Sequence, residues 1–108
     1  MTLLQQRDLS RQQRRLDALQ EARTRLKAAL AELVPGRRVI LFGSITRPGA
    51  FNDRSDIDLA FDSQPLPMSI FRLTAELMDR LDRPVDVALL DRCRFRQKIV
   101  REGEAWIA

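Results

Sequence analysis

The chain has 108 residues, of which 44% are hydrophobic and 31% charged, values typical of one folded globular domain and not of a disordered chain. Its net charge of +4 suits phosphate-bearing or acidic partners, or simply a solvated surface. Cys93 is the only cysteine and there is no histidine, which excludes a disulfide framework, His-ligated metals and Ser-His or Cys-His catalysis.

The remaining functional groups are carboxylates, hydroxyls, backbone amides and arginines. Oxygen ligands of this kind favour Mg²⁺, or alternatively Mn²⁺, over zinc. No apolar run approaches the roughly 18 residues that cross a bilayer, and the N-terminus lacks the apolar core of a signal peptide. We therefore expect a cytoplasmic protein without membrane contact.

The first predicted element is a long helix over residues 4–34. Its leucines follow a heptad seam that Gln12 and Arg23 interrupt, and Pro35-Gly36 ends it. Because the helix is long for so small a chain, we expect its first half to project beyond the core. That half is either a seam for self-association or partner binding, or an extension that frays. The seam leucines are Leu9, Leu16, Leu19, Leu26, Leu30 and Leu33.

A short apolar run, residues 39–42, predicts a strand buried on both faces. Gly43-Ser44 breaks it, and a short helical turn and a loop rich in turn formers follow. Residues 56–61 alternate with period two and predict a second strand. Pro65 and Pro67 are predicted to lead into a helix with its apolar stripe from Ile70 to Leu81.

Residues 85–89 predict a third strand, and residues 91–102 a last helix whose Phe95 and Ile99, with Trp106, pack inward. The expected fold is an α/β domain with a small mixed sheet of about three strands packed by helices. We divide the single domain 1–108 into an N-terminal helix, 1–34, and a core, 35–108.

Asp56 and Asp58 lie two residues apart on a predicted strand, so their carboxylates project to the same side. A divalent cation between them would remove their repulsion. Alternatively, they are the solvated polar face of a strand. Asp86, between two valines of the third strand, faces away from the core in the same way. If the two strands are adjacent, three carboxylates converge.

Gly43 and Ser44 follow the first buried strand. A glycine allows a phosphate to approach the backbone, and the serine can cap the turn or donate its hydroxyl to a phosphate oxygen. An ordinary strand-to-helix turn uses the same two residues. The combination of an anion site after one strand with carboxylates on the next indicates a metal-nucleotide site.

These residues resemble the signature of the DNA polymerase β-like nucleotidyltransferases, and the whole resemblance covers residues 39–106. The signature comprises Gly43-Ser44-Ile45-Thr46-Arg47, then Ser55-Asp56-Ile57-Asp58-Leu59, with Val85-Asp86-Val87 matching the third carboxylate. The closing Ile99-Val100-Arg101-Glu102-Gly103, followed by an aromatic residue, is similar to that of the stand-alone MNT-type antitoxins. Pro48 departs from the pattern by lengthening the loop by one residue.

The resemblance implies a two-metal Mg²⁺ site and a nucleoside triphosphate, ATP, as substrate. It implies that Asp56, Asp58 and Asp86 hold metal, that Asp86 can also take the acceptor proton, and that Gly43, Ser44, Arg47 and Ser55 line the nucleotide. Arg47 could neutralise charge on the leaving group; equally, it could be a loop arginine paired with Asp53.

The antitoxin resemblance further implies AMP transfer to a hydroxyl, expected to be a tyrosine, of a HEPN-type toxin partner. The chain has no tyrosine, so such a product would form on another protein. One rival hypothesis is a non-catalytic module that neutralises its partner by occlusion. Another is modification of a small molecule or nucleic acid, but relatives of that kind carry extra acceptor-binding domains, for which the sequence gives no sign.

Overall fold

The computed structural model describes residues 1–64 and 68–108, and the predicted role of Pro65 and Pro67 lies outside these residues. Helix α1 spans Leu3–Leu33 and begins with a capping box, in which Thr2 Oγ1 accepts the Gln5 N–H at 3.1 Å. The first 17 residues are exposed, and burial begins at Leu19. The expectation that the first half of the helix projects is therefore confirmed.

The remaining elements follow the predicted order with one addition. Strand β1 (Arg38–Phe42) leads into a 3₁₀ turn (Gly43–Thr46), and β2 (Ile57–Phe61), α2 (Ile70–Leu81) and β3 (Val85–Leu89) come next. A 3₁₀ turn (Leu90–Arg92), α3 (Arg96–Glu102) and β4 (Glu104–Ile107) complete the chain.

The described strands form a mixed sheet in the order β3-β2-β1-β4. β1 pairs antiparallel with β2 and β4, whereas β2 and β3 are parallel and are joined through α2. The mixed α/β fold is confirmed, but the count of about three strands was one short. The last strand was missed because it is brief and only alternately buried.

The sheet separates two apolar clusters. One face packs against α1 and α2 through side chains such as Leu26, Leu41, Leu59 and Leu77. On the opposite face Ile40, Ala60, Leu90 and Ile99 form a smaller cluster beneath α3. Ile99 and Trp106 pack inward as predicted, but the expectation for Phe95 was wrong, since 65% of its surface is exposed. Phe95 lies just before α3 begins, outside the cluster that contains Leu90 and Ile99.

No helix among the described residues is both long and apolar enough to span a membrane.

Candidate metal and nucleotide site

The two neighbouring strands β2 and β3 bring two of the predicted carboxylates together. Their parallel register sets Asp58 directly opposite Asp86. Ile57 and Leu59 are buried on the α1 and α2 side, so Asp58 and Asp86 share the opposite face. The conditional expectation, that the carboxylates meet if the two strands are adjacent, is therefore met for this pair.

Asp56 completes the acidic group from the loop position just before β2, where it is exposed. Burial, and then the negative charges of Asp86 and Asp56, raise the pKa of Asp58 above its usual range. Asp86 and Asp56 are thus each close enough to repel Asp58, which is the least exposed of the three. Such a cluster stabilises any cation that approaches it.

Gly43 brings the backbone of the 3₁₀ turn against Asp58. Its φ is +75°, and a Cβ at this position would lie 2.5 Å from Oδ2 of Asp58. Thr46 Oγ1 donates to the Gly43 carbonyl at 2.7 Å and holds the turn closed. Only glycine combines this backbone conformation with this approach, so the turn and the carboxylate form one compact cradle.

The other predicted nucleotide ligands surround this cradle. Ser44 is half-buried in the turn, and Arg47 is exposed just after it. The alternative role of Arg47 is not observed, since no ion pair joins Arg47 to Asp53 in the described parts of the chain. Ser55 Oγ accepts the Asn52 N–H at 2.9 Å, which leaves the hydroxyl proton able to donate to another oxygen.

Pro48 is accommodated in a tight turn after Arg47. The Ala50 N–H donates to the Arg47 carbonyl at 3.0 Å, which places Pro48 and Gly49 at the two central positions. Gly49 has no positive φ. In this turn Pro48 is exposed and lines a shallow groove with α1 residues such as Leu19 and Arg23.

Arg83 holds the loop that carries Asp56, a role the sequence analysis missed. Its Nη1 donates to the carbonyls of Asn52 at 3.1 Å and Ser55 at 2.8 Å. Its guanidinium lies over the buried ring of Phe51, 4.6 Å from the centroid. These contacts join residues about thirty positions apart in the sequence, so no local sequence pattern predicts them.

A cleft of about 980 Å³ opens beside the cradle on the face that carries Asp58 and Asp86. It extends from the 3₁₀ turn to α3, and the sequence analysis missed most of its lining. Phe42 and Ala88 could have been found from strand alternation, because they share a face with the carboxylates. The lining residues are Phe42, Gly43, Thr46, Arg47, Ala88, Cys93, Phe95, Lys98, Ile99, Glu102, Gly103 and Glu104.

The residues present fit a divalent cation that a nucleotide helps to bind. Within the described residues no three acidic side chains form a ready-made cage. Mg²⁺ seldom uses such cages, since it binds one or two carboxylates together with substrate phosphates and water. The repulsion centred on Asp58, and the close approach of the Gly43 backbone to its carboxylate, match that arrangement.

Comparisons with known proteins show the family and a similar fold. The sequence model of the family described as "Polymerase beta, Nucleotidyltransferase" matches residues 24–107. A solved chain from a "toxin-antitoxin with AMP-PNP" superposes with a TM-score of 0.60 at 26% identity, over 79% of this chain and 73% of that one. Curated proteins give no match. The matched region contains the cradle, the cleft and all three carboxylates.

Proposed function

Because this chain belongs to the polymerase beta nucleotidyltransferase family, we propose that it transfers AMP from ATP to a hydroxyl group of a partner protein. The observation that carries the proposal is the juxtaposition of Asp58 and Asp86 on paired strands, with Gly43 packed against Asp58. Nucleotidyl transfer depends on positioning the phosphates and stabilising their charge, and a phosphate-binding turn beside neighbouring carboxylates supports both.

In this proposal Asp56, Asp58 and Asp86 would hold Mg²⁺, or alternatively Mn²⁺, together with the phosphates of the nucleotide. When bound, the metal neutralises phosphate charge and lowers the pKa of the acceptor hydroxyl. The Gly43 backbone and the Ser44 hydroxyl hold the β- and γ-phosphates, and the Ser55 hydroxyl donates to another oxygen of the nucleotide. Arg47 stabilises the charge that develops on the leaving pyrophosphate.

The acceptor oxygen attacks the α-phosphorus as the bond from that phosphorus to the bridging oxygen breaks. Asp86, the more exposed of the paired carboxylates, receives the hydroxyl proton. The products are the adenylylated protein and pyrophosphate, so atoms and charge balance. The nucleoside lies in the cleft between the turn and α3, where Phe95 and Phe42 offer aromatic surface.

We assign the partner as a HEPN-type toxin and the acceptor as one of its tyrosines. The similar chain comes from a toxin-antitoxin structure with AMP-PNP, an ATP analogue, which supports a toxin as the partner. Because this chain contains no tyrosine, a tyrosyl product requires a second protein. The protein would then act as an antitoxin by modifying its toxin.

A second candidate, neutralisation by occlusion without transfer, is favoured by the projecting half of α1. That half is exposed, includes Leu9 and Leu16, and lies outside the region that the family model matches. An antitoxin that acts by occlusion needs a contact surface of this kind, and it does not depend on the carboxylates.

Label transfer from α-labelled ATP with Mg²⁺ tests the proposal. The acceptor is the protein encoded beside this one, and Asp56→Ala/Asp58→Ala is the control. We expect label on the partner that disappears with the control variant. If no label is transferred, and the wild type and the double variant bind and neutralise the partner equally, the protein acts by occlusion and not as an enzyme. Failure of the wild-type protein to bind Mg²⁺-ATP would exclude the enzyme outright.

A further inference from the structure

An apolar groove of about 460 Å³ lies at the outer edge of the sheet, between α2 and β3. Phe71 is 83% exposed and Met78 44% exposed. With Ala75 they occupy positions that follow one side of the helix. A large aromatic side chain left in solvent beside other apolar groups is typical of a binding surface. The lining residues are Ile70, Phe71, Thr74, Ala75, Met78, Asp86 and Val87.

Strand β3 forms one wall of this groove and is the edge strand of the sheet. Its inner side pairs with β2, and no strand of the described chain pairs with its outer side. An edge strand presents backbone N–H and C=O groups that can pair with an added extended segment. The groove therefore offers backbone pairing on one wall and apolar contact on the other.

Asp86 connects this groove to the candidate active site. It contributes to the groove lining, is exposed, and lies opposite Asp58 in the strand register. Across the sheet the order is the groove, Asp86, Asp58 and then Gly43, which lines the nucleotide cleft. In the order of the strands, the outer edge of β3 and the phosphate cradle thus lie on opposite sides of the carboxylates, and in-line attack likewise needs donor and acceptor on opposite sides of the reacting phosphorus.

We propose that this groove binds an extended segment of the acceptor protein. The segment pairs with the outer edge of β3 and packs an apolar side chain against Phe71 and Met78 on the α2 face. Successive side chains of an extended segment point to opposite faces, so a neighbouring residue of the segment carries the hydroxyl to Asp86 on the other face. The proposal rests on the proposed transfer function and adds the position and conformation of the acceptor. The projecting half of α1 lines neither the groove nor the cleft, so binding there alone brings no hydroxyl to Asp86.

Kinetics with the neighbouring protein as acceptor test the proposal. Phe71→Ser and Phe71→Ser/Met78→Ser are compared with Leu4→Ser, which changes a residue that is 71% exposed on α1. We expect both groove variants to raise the acceptor KM by about tenfold or more, the scale of a lost aromatic anchor, with Mg²⁺-ATP affinity unchanged. Leu4→Ser should leave both values as in wild type. An unchanged acceptor KM in the double variant would overturn the proposal.

Hydrogen exchange of the complex supplies a second readout that does not depend on transfer. We expect slower exchange over residues 70–78 and 85–89. Protection confined to residues 3–17 would overturn the groove while leaving the transfer function intact. Groove protection without any label transfer would retain the docking surface and reject the proposed enzyme. Absence of any complex would reject both.

Discussion

At the scale of single residues, Asp58 is where repulsion accumulates in the absence of a cation. Asp86 and Asp56 act on it, and it is the least exposed of the three. We predict that Asp58→Asn raises the free energy of unfolding of the metal-free protein, by no more than about 1 kcal/mol because solvent screens this partly exposed site. The same variant should lose the stabilisation that Mg²⁺-ATP gives the wild-type protein.

Thermal unfolding with and without Mg²⁺-ATP measures both effects of Asp58→Asn. Asp8→Asn, an exposed carboxylate on the projecting half of α1, is the control and should change neither. A lower Tm of metal-free Asp58→Asn would show that the carboxylate is structurally stabilising and would contradict the assignment.

Gly43 is constrained both by its positive φ and by the close approach of Asp58, and the effects of these two constraints can be measured separately. Gly43→Ala should cost about 1–2 kcal/mol for the left-handed backbone and, in addition, displace the Asp58 carboxylate and weaken Mg²⁺-ATP binding. Gly36 has the same φ of +75°, but a Cβ added there would meet nothing within 4 Å, so Gly36→Ala isolates the backbone cost.

Calorimetric titration of Mg²⁺-ATP into the two glycine variants provides the comparison. We expect near-normal affinity for Gly36→Ala and a loss of at least about tenfold for Gly43→Ala, the scale expected when a phosphate-binding contact is lost. Equal affinities in the two variants would mean that the close approach to Asp58 has no part in binding.

At the scale of the elements, the N-terminal helix is tied to the sheet by Arg23, which the heptad analysis treated only as an interruption. Its Nη1 donates to the Ile45 carbonyl at 3.2 Å, and its Nη2 pairs with Glu104. Trp106 Nε1 donates to the same Glu104 carboxylate at 2.6 Å, and the guanidinium lies 5.2 Å from the Trp106 ring centroid. One polar network thus joins α1, the 3₁₀ turn and β4.

This network predicts a pH dependence of stability. The hydrogen bond from Arg23, with a smaller one from Trp106, lowers the pKa of Glu104 despite the opposing effect of burial. A carboxyl with a lowered folded-state pKa stabilises the fold above its unfolded pKa of about 4.3 and loses that contribution as the pH falls through the folded value. Because the pair is partly exposed, we expect less than about 1 kcal/mol.

Denaturant unfolding monitored by the single tryptophan, Trp106, tests this dependence. Glu104→Gln should be less stable than wild type at pH 7, and the difference should shrink as the pH falls below about 4. Glu32→Gln, which removes a pair with Arg80 whose glutamate is 71% exposed, should show little difference at either pH. A difference for Glu104→Gln that is constant with pH would exclude this linkage.

The elements also show which features a sequence pattern can predict. Strands β1, β2 and β3 were predictable because each shows a run or an alternation whose burial the core enforces. Strand β4 has only four residues, and its Trp106 was instead assigned to the packing of the last helix. Phe95 would face inward only on one continuous helix from residue 91 to residue 102. A 3₁₀ turn and a loop precede the helix instead, and the helix begins only at Arg96.

The candidate site also has some features that the sequence predicts and others that it does not. The adjacency of Asp58 and Asp86 followed from strand alternation once their strands paired. The contacts of Arg83 with the loop before Asp56, and of α3 with the cleft, depend on tertiary packing that periodicity does not encode. Local patterns therefore predicted the acidic centre, and only the folded chain shows what positions and surrounds it.

At the scale of the whole molecule, the projecting half of α1 gives the protein its elongated form, 54 × 28 × 19 Å. No residue before Ala18 is buried, even partly, so this half adds little to the core. A helix that extends into solvent with apolar residues at heptad spacing is typical of a self-association seam. We therefore predict that it joins two copies of this chain, separately from the groove and the cleft.

Deleting residues 2–14 tests this last prediction. Because the deleted residues are all exposed in the single chain, the free energy of unfolding of the monomer, measured at a protein concentration too low for association, should change by less than about 1 kcal/mol. Mg²⁺-ATP affinity should stay as in the full chain, since no deleted residue lines the cleft.

Sedimentation velocity tests self-association directly and should show a dimer for the full chain and a monomer for the shortened one. Leu9→Ser/Leu16→Ser should also give a monomer, whereas Leu3→Ser/Leu4→Ser, off the seam, should not. If the full chain is a monomer, self-association is excluded and the helix is available to the partner. If the shortened chain no longer binds Mg²⁺-ATP, the first part of α1 supports the nucleotide site from a distance.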